Sequence, residues 1–106
     1  MSQLSPLFMK IRREAMRWHL LSAVNLSRPY GMYTEALLPI IQSVYQDATH
    51  QEVRRELDYM EERELVHIAK DPLDRWMVDL TRFGIDFVEY TIDSQAGIAR
   101  PVITQG

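Results

Sequence analysis

From Pro6 to Asn25, apolar residues recur at Ile11, Ala15, Trp18, Leu21 and Val24. These spacings of three and four lay a single stripe along a helix and predict helix one over Pro6–Asn25. The helix has to stop near Leu26. Arg28 precedes Pro29, a pre-proline residue is pushed out of the α region, and Gly31 adds turn freedom, so "SRPYG" reads as a corner. A second helix is predicted from about Thr34, an N-cap with Glu35 beside the positive helix end, through Leu37, Leu38, Ile41 and Val44. With Thr34 as cap, Pro39 lies past the four N–H groups that need no helical partner, so a kink or a start nearer Ala36 is expected.

"THQEVRRELDYMEERELV" opens on the clearest helix start in the chain. Thr49 and Glu52 form a T-x-x-E capping box, in which each side chain satisfies the other residue's backbone N–H. Val53, Leu57 and Met60 then form a buried stripe, and Gln51, Arg54, Arg55, Asp58 and Glu62 fall on the outer faces. "VHIAK" and "RWMVDL" have strand character and are joined by "DPLD", whose Pro and acidic residues form turns, so they read as a β-hairpin. Thr81 caps a last helix, "RFGIDFVEY", with Leu80, Phe83, Phe87 and Val88 as its apolar face. Gly84 inside it costs about 1 kcal/mol relative to Ala, which a close helix contact would explain. The tail "TIDSQAGIARPVITQG" has little periodicity yet holds Ile92, Ile98, Val102 and Ile103. It reads either as a loosely packed terminus or as an arm lying on a neighbouring subunit.

Three helices, a two-stranded hairpin and a final helix follow the order of a winged helix-turn-helix, a mainly α member of the α+β class. The third helix would be the recognition helix and the hairpin the wing, giving a domain over residues 1–92 and an extended tail over 93–106. "RWMVDLTRFG" resembles the wing strand and following helix start of MarR-like and PadR-like regulators. A resemblance over nearly the whole chain is carried by "NLSRPYG", "ATHQEVRRELDYMEERELV", "LTRFGIDFVEY" and "GIARP" in this order. They look like a family of small proteins of Mu-like phages and prophages, often labelled ArsR-type regulators. The resemblance implies a phage setting, with genes among packaging and morphogenesis functions, more than it implies a chemistry. One position departs from the winged-helix pattern. Glycine usually precedes the "LV" that opens the wing, because the helix ends there in the left-handed conformation. Here the residue is Glu64, at a cost on the order of 1 kcal/mol unless the helix ends differently.

At 106 residues, 46% hydrophobic and 25% charged, the chain has one ordinary globular domain's worth of core. The absence of cysteine removes disulfides, thiolate ligands and cysteine nucleophiles and fits a reducing compartment, the cytoplasm by default, which the phage resemblance implies to be that of a bacterial host. Lys10, Arg12 and Arg13 interrupt any secretory h-region, and no apolar run approaches the roughly 20 residues of a membrane span, so neither secretion nor insertion is expected. The net charge of −3 is unevenly spread. Lys10, Arg12, Arg13 and Arg17, with only Glu14, make helix one basic, and acids dominate beyond it.

For double-stranded DNA, the best-placed base readers are His50, Gln51, Arg54 and Arg55 on the first turns of the third helix. The competing reading pairs Arg54 and Arg55 along the helix with Asp58 and with Gln51 or Glu52. Phosphate contacts would fall to Arg12 and Arg13 of helix one, Arg28 at the corner, and Lys70 and Arg75 in the wing, unless the basic cluster is a solvated face. Glu56, Asp58, Glu61, Glu62 and Glu64 would meet phosphates unfavourably and suit a basic partner or helix one of another copy. No catalytic, metal or cofactor site is expected. His19, His50 and His67 are widely separated, and no phosphate loop or nucleophile elbow occurs. Trp18, Tyr59, Trp76 and Phe87 read as core or interface aromatics rather than base-stacking platforms. The resulting expectation is a DNA-binding homodimer. The alternative is an interaction module that contacts a phage protein through its acidic helix and apolar tail without touching DNA.

Overall fold

In the computed structural model, which describes residues 5–103, the chain enters α1 (Pro6–Ser27) at Ser5, whose Oγ accepts the Phe8 N–H at 3.1 Å. The expected domain and tail therefore extend at residues 1–4 and 104–106 beyond the described residues. Pro6 at the first helical position needs no amide partner. The face that α1 buries is not the expected stripe. Met16, Leu20, Leu21, Ala23 and Val24 enter the core, whereas Ile11 is exposed and Ala15 and Trp18 are half-buried. Only Leu21 and Val24 belong to both sets. The helix is apolar on two sides, so three-and-four spacing fits either and periodicity cannot choose between them.

β1 (Met32–Tyr33) leads into α2 (Thr34–Gln42), which has Tyr33 at its N-cap and no side-chain cap bond. Thr34, expected as the cap, is buried in the first turn and shares a 2.6 Å hydrogen bond between its Oγ1 and His50 Nε2. Pro39 stays inside the helix, which ends at Gln42, short of Val44.

α3 (His50–Glu62) starts as expected, with Thr49 Oγ1 accepting the Glu52 N–H at 3.1 Å. The other half of the capping box is replaced, because the Glu52 carboxylate accepts from Arg12 instead. Val53, Leu57 and Met60 are fully buried, and so is Glu56 on the same face. Arg17 Nε donates to Glu56 Oε1 at 2.8 Å and Arg17 Nη1 to the Gly97 carbonyl at 2.7 Å, while the guanidinium lies 3.4 Å from the Tyr59 ring centroid. Two residues expected in a basic and an acidic surface are thus a charge pair inside the protein.

β2 (Val66–Lys70) and β3 (Trp76–Leu80) form the expected antiparallel hairpin, with Val66 opposite Leu80 and Lys70 opposite Trp76. The sheet has three strands, not two. β1 pairs with the other edge of β3, Met32 opposite Val78, in the order β1-β3-β2. A two-residue strand is too short to show a period-two pattern in sequence. The described residues therefore make an α+β fold of four helices and a small antiparallel sheet.

Between α3 and β2, Glu64 adopts the left-handed conformation (φ 63°), the Leu65 N–H bonds the Met60 carbonyl at 2.9 Å, and Thr81 donates its hydroxyl to the Glu64 carbonyl. The helix ends as the glycine-bearing pattern does, but with a side chain in place. Glu64→Gly is expected to stabilise the fold by about 0.5–1 kcal/mol, the 1–2 kcal/mol of left-handed strain less the extra chain entropy of glycine. A urea titration reads the change, and a loss of stability would mean the Glu64 side chain holds the junction.

α4 (Arg82–Val88) is capped by Thr81, whose Oγ1 accepts the Gly84 N–H at 3.0 Å. Phe87 is buried from it, but Phe83, expected on the same apolar face, is exposed. Through Pro101 the tail folds onto its own domain. Ile98 is buried, the Ala99 N–H bonds the Glu14 carbonyl at 3.1 Å, and Arg100 Nη1 donates to the Phe87 and Ile92 carbonyls at 3.0 and 2.8 Å.

Candidate nucleic-acid interface

The first turns of α3 and the hairpin enclose an open depression of about 460 Å3 lined by His50, Gln51, Arg54, Arg55, Asp58 and Trp76. The four expected base readers fall into three situations here. Gln51 and Arg55 are exposed. His50 is half-buried, with Nε2 committed to Thr34. Arg54 is held across the depression, its Nη1 donating to Asp74 Oδ2 at 2.9 Å and its Nη2 to the Asp74 carbonyl. Its guanidinium stacks 4.5 Å from the centre of the Trp76 ring. Arg54 is therefore paired, though with the hairpin tip rather than along its own helix to Asp58.

The hairpin tip is built around two aspartates. Asp71 Oδ1 accepts the Leu73 and Arg75 N–H groups at 2.9 Å each, and Oδ2 accepts from Arg75 Nε at 2.7 Å. The Arg75 and Leu73 backbone bonds, with the Arg75 side chain, hold the Asp71 carboxyl below its usual pKa range. Asp74 is lowered as well, first by the Arg54 hydrogen bond and then by the Trp76 indole N–H at 3.3 Å. A depressed carboxyl pKa favours the folded arrangement above the ordinary aspartate value of ~3.9 and loses that contribution as pH falls through the lowered value. The Arg54–Asp74 clamp is closed at neutral pH.

Lys70 and Arg75, the expected wing cations, are both exposed. Lys70 Nζ lies 4.3 Å from the Trp76 ring centroid, and Arg75 is neutralised by Asp71. On α1, Arg12 is consumed. Its Nε and Nη2 donate to both Glu52 oxygens at 2.9 and 3.0 Å, and Nη2 lies 2.9 Å from Asp47 Oδ1. Glu52 first, then Asp47, raise the guanidinium pKa above its ordinary value. Arg13 remains half-buried and lines, with Arg55, a second depression that also contains Arg12, Asp47 and Glu52. Arg28 bonds Asn25 Oδ1 at 2.9 Å and approaches Glu89 at 4.0 Å. Arg55 thus stands between two depressions, and it joins none of the ion pairs among the described residues.

The acids are redistributed too. Glu56 is internal, and Glu61 Oε2 accepts the Ile68 N–H of β2 at 2.9 Å, which leaves Asp58, Glu62 and Glu64 on the outer surface. Trp76 is expected from the sequence to be a core or interface aromatic. It is buried in the sheet, and its ring also supports Arg54 and Lys70, a role that sequence distance concealed.

Among the described residues no three His, Asp or Glu side chains converge to hold a metal ion, and no helix is long and apolar enough to cross a membrane. No family model, curated protein or solved structure matches this chain.

Proposed function

We propose that the chain is a winged-helix domain that binds duplex DNA as a dimer, with α3 entering the major groove and the β2–β3 wing beside it. The observation that carries this reading is the placement of exposed Gln51 and Arg55 on the leading turns of α3, with Arg54 behind them at the wing. Gln and Arg side chains can each make two hydrogen bonds to a purine edge. The order of three helices, hairpin and helix supports the fold reading, and the quoted likeness to Mu-like phage proteins supports a role in transcriptional control or DNA handling during packaging in a bacterial host.

The Arg54–Asp74 clamp makes binding conditional in this reading. DNA has to displace Asp74 before Arg54 can reach a base or phosphate, so affinity is modest. Fluorescence anisotropy of labelled duplexes at low salt tests this, with DNA of the encoding phage element included. Arg55→Ala is expected to weaken binding by about 1–3 kcal/mol. Asp74→Asn, which tolerates the left-handed backbone of Asp74 (φ 59°), is expected to tighten it and to steepen the salt dependence by about one phosphate equivalent. No binding of any duplex at micromolar protein overturns the proposal.

A second reading is favoured by one observation, the pairing of Arg12, Arg54 and Arg75 each with an acid. A module that meets a protein partner needs no uncovered basic face. It predicts that Arg54→Glu with Arg55→Glu leaves function intact.

A further inference from the structure

A solvated helix face is ordinarily polar and charged. The outward side of α1 is not. Opposite its core residues run Phe8, Ile11, Ala15, Trp18, Ser22 and Leu26, at steps of three or four and without an ionisable group among them; Ala15, Trp18 and Ser22 at its middle are half-buried, Trp18 standing edge-on to Phe87 and Tyr90 of its own chain, and the ends are open. That repeat is close to the 3.5-residue seam of paired helices. Leu7, Phe8, Ile11 and Leu26 are 66%, 52%, 56% and 86% exposed. Beside the C-terminal half of α1, Ile40 and Val44 extend the apolar surface and line a cavity of about 410 Å3 with Ala23, Leu26 and Met32.

The exposed parts of Leu7, Phe8, Ile11, Leu26, Ile40 and Val44 amount to on the order of 500 Å2. That is near the top of the range for the largest apolar patch on a monomer, about 300–600 Å2. It also equals the apolar share of the roughly 800 Å2 that each partner buries in a specific dimer. The geometry points to a second copy of this chain as the occupant, its α1 packed antiparallel on the first across a two-fold axis.

Self-complementarity singles out that occupant. With the axis passing between Met16 and Arg17, Ile11 faces Ser22 of the second copy, Ala15 faces Trp18 and Leu7 faces Leu26. Large residues then oppose small ones at Ile11 and Ala15, and the Phe8 side chain points toward the cavity at the far end of the other helix. Projection and recess lie on one face at opposite ends, as an isologous contact requires. The same placement selects the antiparallel sense, since parallel helices would set Phe8 against Phe8 and cavity beside cavity. The contact uses a different face from the α3–wing surface and holds or fails without it.

Light scattering of the full chain at about 50 µM is expected to give twice the 12.5 kDa chain mass. Ile11→Glu, at an exposed position, is expected to halve that mass with an unchanged far-ultraviolet circular dichroism spectrum. Because the chain has no cysteine, Ile11→Cys with Ser22→Cys is a clean register probe. Within one helix these positions are roughly 16 Å apart, beyond the ~7 Å reach of a disulfide, so oxidation has to join two chains. Covalent dimer from this pair, and not from Ile11→Cys with Gln51→Cys, supports the register. A monomeric wild type, a larger assembly, or equal cross-linking of the two pairs overturns the proposal. Loss of duplex binding with the dimer intact would strike the DNA reading alone, and a monomer that still binds duplex would strike this contact and the dimeric part of that reading while leaving duplex recognition by α3 in place.

Discussion

Glu56→Ala is expected to lower the unfolding free energy by about 3–5 kcal/mol, because it leaves Arg17 charged, buried and without its counter-ion. The two side chains are only 9% and 2% exposed, so solvent cannot take over the role of the lost carboxylate. Arg17 would keep the Gly97 carbonyl and the Tyr59 ring, neither of which carries a full negative charge. Against a total stability of about 5–15 kcal/mol for a domain, the variant would stand near the edge of folding. Replacing both members, Arg17→Met with Glu56→Met, is expected to recover most of the loss, since an apolar pair of similar volume avoids the desolvation of two ions. Urea unfolding of the single and double variants reads both effects. A single variant within about 1 kcal/mol of wild type would show that the pair is effectively solvated.

Gly84→Ala carries the second large effect, and its sign is the reverse of the helix average. In an unconstrained helix this substitution gains about 1 kcal/mol. Here a Cβ on residue 84 would lie 2.0 Å from the Leu65 carbonyl oxygen and 3.0 Å from its carbon. Those are backbone atoms, and the same carbonyl accepts the Thr81 N–H at 3.1 Å, so no rotamer change can relieve the clash. The junction of α3, β2 and α4 would have to separate, at about 3 kcal/mol. Thermal unfolding is the measurement, and a raised midpoint would mean that α4 is free to move from the junction.

The sequence reading of Gly84 reached the cause but not the partner. A close helix contact is what the sequence suggests, and what approaches is the Leu65 carbonyl, in the turn just before β2. The same division runs through the chain. Elements marked by local chemistry were legible: the Thr49 and Thr81 caps, the "DPLD" hairpin, and the Val53, Leu57 and Met60 face all depend on residues within a few positions of one another. What depended on distant partners was not. The Arg17–Glu56 pair spans 39 positions and the Arg12–Glu52 pair 40, and no local pattern distinguishes them from surface charges. Glu56 did carry a signal, since it lies on the same helical face as Val53, Leu57 and Met60. On α1 the periodicity was real, but it traced the outward face through Ile11, Ala15 and Trp18. Of the candidate readers, Gln51 and Arg55 are exposed as expected, whereas the attachments of Arg54 and His50 follow from the hairpin and α2 folding against α3.

The tail from Asp93 to Pro101 also closes the packing around the middle of α1. Arg17 is made early and finds its carbonyl partner at Gly97, 80 positions later, and the Glu14 carbonyl waits for the Ala99 N–H. Until residues 97–99 have been synthesised, the middle of α1 holds a cation whose surroundings are incomplete and a core lacking Ile98. Closing so long a loop adds entropy cost before its contacts repay it. The packing around the middle of α1 is therefore completed only once residues 97–99 are present, and a stalled or truncated product stopping before Gly97 would present that unfinished centre to chaperones and proteases.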